Sequence, residues 1–208
     1  MDDKIKSEET YNPLHKRNLG ISIEKALLSR PIGPLKLSEK FLGAGVYVIY
    51  YAGDFPAYKF IADKNRNNKF EQPIYVGKAV PKGSRIGSDL SLEAGSVLHD
   101  RIDEHAESVI QAKNLKIGHF SCRYLLVDDI FIPLGESLLI STFNPIWNHP
   151  IGGFGNHDPG SGRYKQQKSA WDVVHPGRKW AERLQSNKRN AAEIFADLEK
   201  FKLKRGIS

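Results

Sequence analysis

Two tyrosines in mirrored tripeptides, Gly45-Val46-Tyr47 and Tyr75-Val76-Gly77, precede an arginine and a histidine four residues apart, Arg101 and His105, and then an isolated glutamate, Glu136. Together these side chains suit the hydrolysis of a phosphodiester. Glu136 can hold a divalent metal that polarises the scissile phosphate and stabilises the leaving oxygen. With one carboxylate the ion keeps several waters, which suits magnesium, with manganese as a substitute. Arg101 offers a rigid fork of donors to phosphate oxygens where negative charge builds up. Tyr47 is a candidate to position or deprotonate the attacking water. A free phenol titrates near about 10, so its proton needs a destination, and His105 can either take it or hold the phenol in register. Tyr75 can share this role or orient the phosphate. Asn148 both donates and accepts hydrogen bonds, so it can lock the helix of Glu136 against the tyrosine strands.

Regular elements must bring these groups together. Val46, Val48 and Tyr50 alternate with Tyr47, Ile49 and Tyr51, and both sets are apolar or aromatic. That pattern predicts a central strand over 45–51, covered on both faces. A second strand at 74–76 is expected beside it. Alternation sets each glycine and tyrosine of a triad on one side, leaving room for close approach near a hydroxyl. Leu98, Ile102, Ala106 and Val109 mark a helical stripe within 92–113, and off that stripe Arg101 and His105 point into one site. A strand is predicted over 120–127, then a helix starting near Gly135 and stopping at Asn144-Pro145. A short helix at 21–30 ends before Pro31, and the stripe Ala191, Ile194, Leu198, Phe201 gives another near the end. Residues 52–72, with the polar run 63–69, read as an irregular excursion, too polar for a core. Residues 148–164 are too rich in glycine to stay regular.

The chain of 208 residues has one cysteine, Cys122, which excludes an intrachain disulfide and a thiolate zinc cluster and reads as a buried strand residue. A charged start and no long apolar run argue for a soluble, cytoplasmic protein without membrane contact. The net charge of +7 is uneven: from Arg163 to Arg205 there are 12 Lys or Arg against 5 Asp or Glu. A basic tail of this kind favours a nucleic acid, because Lys and Arg release condensed counterions on meeting phosphates.

The ordered set Gly45-Val46-Tyr47, Tyr75-Val76-Gly77, Arg101 with His105, Glu136 and Asn148 resembles the GIY-YIG nuclease superfamily, with valine replacing isoleucine in both signatures. Longer stretches resemble its type II restriction endonuclease branch, in the group that recognises CCGCGG. They are 43–47, 73–81, 120–123, 153–157 and 168–178. The resemblance implies an α+β fold with a small central mixed sheet flanked by helices. It also implies a homodimer that cuts both strands of double-stranded DNA, a magnesium ion, and a companion DNA methyltransferase. Tyr47 and Tyr75 would be the signature tyrosines, Arg101 the phosphate-contacting arginine and His105 the partner of the attacking-water system. Glu136 would be the metal ligand and Asn148 the supporting amide.

On this reading residues 1–40 form an arm or docking helix, and 41–208 the endonuclease domain with a basic helical C-terminal extension. Tyr47 and Tyr75 lie 28 residues apart, farther than in compact members, so 54–72 is an insertion for DNA or dimer contact. Base readout is expected from Lys82 and Arg85 in one connector and from Arg163 and Lys165 in the glycine-rich stretch, since Arg and Lys grip guanine O6 and N7 in the major groove. Lys78 and His157 are further DNA-facing candidates. His149, Asn156 and His157 also invite a histidine-asparagine-histidine metal site or a zinc site, which the density of Gly and Pro and the lack of cysteines weaken. The remaining alternatives are a GIY-YIG nuclease of different specificity and a non-catalytic DNA-binding module.

Overall fold

The computed structural model describes residues 10–81 and 95–206. A four-stranded sheet in the order β1-β4-β2-β3 forms its centre. The strands are β1 (Gly33–Pro34), β2 (Gly45–Tyr51), β3 (Pro73–Ala79) and β4 (Phe120–Leu126). Around them lie α1 (Lys16–Leu28), α2 (Lys59–Asn65), α3 (Val97–Gln111), α4 (Ile132–Phe143), α5 (Ala170–Val174) and α6 (Ala191–Lys204). Among the described residues no helix is long and apolar enough to cross a membrane.

All seven residues of β2 are buried, because the sheet is covered on both faces. Val46, Val48, Tyr50 and Val76 pack with Leu27 of α1 and with Ile132 and Leu139 of α4. Tyr47, Ile49, Tyr51 and Tyr75 face the other way, onto Leu98, Ile102 and Val109 of α3, then Trp147, Trp171, Ile194 and Leu198. Each such apolar side chain removed from water contributes about 1.5–3 kcal/mol. α3 is thereby fixed against the tyrosine face, as its stripe requires. Cys122 is buried on β4, and burial pushes its thiol up to about 12.

The helix ends follow local chemistry. Ser169 with Asp172 and Asn190 with Glu193 form capping boxes that open α5 and α6. Asn144, left-handed at φ 46°, closes α4 immediately before Pro145. α4 begins at Ile132, not near Gly135, because Pro133 is tolerated in a first turn, where its missing N–H has no intrahelical partner. Glu136 accordingly sits in the second turn and not at the helix start.

Two further expectations need correction. The sheet is antiparallel throughout, not mixed. β3 and β4 do run parallel, joined through α3, but β2 lies between them and pairs antiparallel with both. Residues 52–72 are also less irregular and less exposed than their polarity suggests. A 3-10 turn at Pro56–Tyr58 leads into α2, and Asn65 is buried. Its amide donates to the carbonyls of Tyr51 and Gln72 and accepts from the N–H of Gln72, so burial leaves no polar atom orphaned.

A second buried network ties this segment to the C-terminal part. Tyr58 Oη lies 2.6 Å from His175 Nε2 and accepts from Trp147 Nε1, while His175 Nδ1 faces Asn114 Oδ1 at 2.9 Å. Burial lowers the pKa of His175 to about 3. As pH falls below about 6.5 the unfolded chain therefore takes up the proton first. Stability from this group is fully present above about 6.5 and is lost on acidification toward about 3, at about 1.4 kcal/mol per pH unit. Urea unfolding at pH 7 and pH 5 should show that loss, and His175→Phe, though less stable overall, should show a smaller one. Equal losses in both proteins would sink the assignment.

Candidate active site

The register of β2 and β3 sets Tyr47 directly opposite Gly77. A Cβ at Gly77 would come within 2.3 Å of Tyr47 Oη, so the glycine makes room for the phenol. Gly45 serves the neighbouring strand instead, since a Cβ there would meet the Leu125 carbonyl at 2.0 Å. The two glycines of the mirrored triads are thus required for different reasons.

Tyr47 Oη and His105 Nε2 are 2.6 Å apart, and both residues are fully enclosed. Phe154 stacks on the imidazole at 4.4 Å between ring centroids, and Tyr75 meets it edge-on at 5.1 Å. Burial drives the Tyr47 phenol well above its ordinary value; the neighbouring Tyr75 adds to this and Arg101 opposes it. Burial, then the charges of Arg101 and Arg178, drives His105 well below its own. Around neutral pH both are uncharged, and the phenol O–H and the imidazole nitrogen share one proton-carrying contact. Tyr75 is raised in the same way, mainly by burial, with Arg101 opposing.

Arg101 reaches this pair from the same face of α3, as the four-residue spacing predicts. Its Nη1 donates to Glu104 Oε2 at 2.8 Å and lies 2.6 Å from His157 Nε2. Its Nη2 donates to the Gly155 carbonyl at 2.5 Å. A cleft of about 430 Å³ runs past Arg101, Glu104, His105, His157, Arg178 and Trp180. His157, expected to face DNA, is exposed but also holds the catalytic-candidate arginine.

Asn148 clamps the edge strand. Its Oδ1 accepts from the Val76 N–H at 2.9 Å and its Nδ2 donates to the Val76 carbonyl at 2.8 Å. Trp147 N–H donates to the Ile74 carbonyl, so the chain leaving α4 caps the free edge of β3 beside Tyr75.

Glu136 reaches the site from a different element than the other five. It projects from α4, on the opposite side of the sheet from α3, and pairs with Lys78 Nζ at 2.6 Å. It acts on the two phenols only through its charge, which raises both. Among the described residues no three His, Cys, Asp or Glu side chains gather to hold a metal. One partly exposed carboxylate fits a hard cation that keeps most of its water, which is the magnesium pattern. It does not fit zinc. His149 stacks on Phe201, and among the described residues it joins no group of three His, Cys, Asp or Glu side chains that could hold zinc.

Lys78, a DNA-facing candidate, is paired with this carboxylate and remains partly exposed. Arg163 and Lys165 are exposed, on and just after a 3-10 turn at Ser161–Arg163. Lys82 and Arg85 lie outside the described residues. The basic tail is not uniformly solvated either: Arg178 is buried and paired with Asp172 at 2.7 Å.

Residue-by-residue reading missed Glu104, Gly155 and Arg178. Glu104 had a signal, because it stands three residues after Arg101 on a helix. Arg178 had a weaker one, Trp171 and Trp180 on either side of it in sequence. The Gly155 carbonyl had none.

A family model described as the Eco29kI GIY-YIG domain matches residues 39–202. That span contains both tyrosine triads, α3, Glu136, Asn148 and Arg178. Among curated proteins no similar sequence was found. Since the match covers most of the chain and the antiparallel sheet with its flanking helices agrees with a GIY-YIG nuclease fold, the chain belongs to the Eco29kI GIY-YIG domain family of restriction endonucleases.

Proposed function

We propose that this restriction nuclease is a type II site-specific enzyme that cuts both strands of double-stranded DNA at CCGCGG, as a homodimer with one magnesium ion per active site. The observation that carries the catalytic reading is the enclosed 2.6 Å contact between Tyr47 Oη and His105 Nε2, with Arg101 and Tyr75 beside it. The target, the dimer and a companion methyltransferase rest on the resemblance of the sequence stretches 43–47, 73–81, 120–123, 153–157 and 168–178 to the CCGCGG group.

As the attacking water loses its proton to Tyr47 Oη, the phenol passes its own to His105 Nε2. The proton leaves the nucleophile and no phenolate accumulates in a buried site. Burial and the charges of Arg101 and Arg178 disfavour the imidazolium this leaves on His105, so the proton is held there only transiently. Arg101 keeps donors beyond those used by Glu104, His157 and Gly155, and offers them to phosphate oxygens as charge grows. Tyr75, against Arg101, orients the phosphate. Glu136 holds the metal, which when bound supplies charge stabilisation at the phosphate and the leaving oxygen. Arg163 and Lys165 enter the major groove and read bases there. A palindromic target calls for two-fold symmetry in the protein.

Purified protein incubated with DNA carrying CCGCGG, with magnesium or manganese and with or without EDTA, should give discrete fragments only with metal. No fragments under any divalent ion would overturn the enzyme reading. Discrete cutting elsewhere would keep the mechanism and reject the target. Sedimentation of the protein on uncut target should show two copies, and one copy would reject the homodimer.

A further inference from the structure

Residues 153–156 turn their carbonyls toward two different arginines. Arg178 Nη2 donates to the Gly153 carbonyl at 3.0 Å, and its Nη1 donates to those of Phe154 at 3.0 Å and Asn156 at 3.4 Å. The one carbonyl Arg178 does not take, that of Gly155, accepts from Arg101. Arg178 is itself rigidly held. Its Nε donates to Asp172 at 2.7 Å, and its guanidinium lies between Trp171 and Trp180, at 4.6 and 4.5 Å from the ring centroids. Asp172 is fixed in turn by Ser169, whose side chain sits where a Cβ of Gly153 would fall. The Gly153 backbone, at φ 105°, suits glycine alone.

We infer that Arg178 is a positioning residue for cleavage, which shapes the 153–156 turn so that the Gly155 carbonyl aims the Arg101 guanidinium and Phe154 seals His105. This rests on the nuclease reading above. Arg178 is 1% exposed and commits four of its five N–H donors to three backbone carbonyls and one carboxylate, so it is held for the turn and not for DNA. Its placement inside the most basic stretch of the chain therefore has a different cause from that of Arg163 or Lys165. The planar fork matters, because three carbonyls and a carboxylate cannot be served together by the single nitrogen of a lysine.

The test uses Arg178→Lys, which keeps a cation for Asp172, and Asp172→Asn as a second variant should the first fail to fold. Saturating single-turnover cleavage should fall about 100-fold, the scale of a small misplacement of a reacting group, while DNA affinity in calcium changes by less than about threefold. In an Arg101→Ala background the same substitution should cost little more, because its effect passes through Arg101. Independently of activity, amide exchange over 153–157 should quicken while β2 and β3 keep their protection, and the side-chain NMR signals of Arg101 should lose their slow exchange. Additive losses in the double variant, or unchanged exchange and Arg101 signals, would overturn the inference. If the wild type cuts nothing, the nuclease reading fails, and the exchange and Arg101 signals still decide whether Arg178 sets the turn.

Discussion

Replacing Glu136 by glutamine should reduce cleavage by about three orders of magnitude or more while leaving DNA binding intact. A metal contributes several kcal/mol of charge stabilisation at a phosphate, and each 1.36 kcal/mol is about tenfold in rate. Among the described residues no group of three or more His, Cys, Asp or Glu side chains forms an alternative metal site. The fold should survive, because the pair with Lys78 is partly solvated and such pairs contribute about 0–1 kcal/mol.

The same substitution has a second, less obvious consequence. Lys78 Nζ sits 2.6 Å from the carboxylate, so in the metal-free protein the ammonium is held by Glu136. A divalent ion held by Glu136 would compete with Lys78 for the one carboxylate. Glutamine removes that negative charge and frees the lysine for phosphate, so metal-free binding should tighten. The slope of log K against log salt should steepen by about 0.9, the share of one added phosphate contact. Filter binding or anisotropy in EDTA at several salt concentrations measures it. Wild-type turnover by Glu136→Gln would show that the residue is not the essential ligand, and a parallel loss of binding would mean that it builds the DNA surface.

The strands were legible because their signal is local. β2 follows from six consecutive apolar or aromatic residues after Gly45, and α3 from a stripe that must face something. Pairing is not local. Nothing in Gly33-Pro34 announces a strand; it is one only because Cys122 and Ser121 of β4 lie opposite. Nor does composition reveal that β2 separates β3 from β4, which decides between a mixed and an antiparallel sheet. Asn65 was hidden for another reason: its burial depends on carbonyls supplied by Tyr51 and Gln72, and a polar spelling reads as surface until such partners are known.

The candidate catalytic side chains were named by order along the chain, whereas their couplings were not. Arg101 and His105 come together through helical spacing. Gly77 facing Tyr47 needs the strand register, and the Gly155 carbonyl facing Arg101 needs a turn whose shape is set by Arg178. Backbone carbonyls carry no sequence signature. Lys78 illustrates the converse: its charge suggested DNA, but nothing local in the sequence announces its pair with Glu136 of α4.

Tyr47→Phe should keep the ring over Gly77 and remove the proton path, lowering single-turnover cleavage by about 10²–10⁴-fold, the usual contribution of a positioned acid or base. The stability cost should be about 1–3 kcal/mol, because His105 Nε2 loses its buried partner. The pH dependence separates this role from packing. Burial keeps Tyr47 protonated above its ordinary value and, with Arg101, keeps His105 neutral below its own. Lowering the pH from about 8 to about 6 should therefore leave the acceptor nitrogen free, with no histidine limb near about 6.5; loss through His105 begins only at more acid pH. Tyr75→Phe retains the Tyr47–His105 contact and should lose less. Wild-type cutting by Tyr47→Phe would end the proton-relay reading. A larger loss in Tyr75→Phe would transfer the base to the second tyrosine, which at 8% relative exposure is the more open of the two.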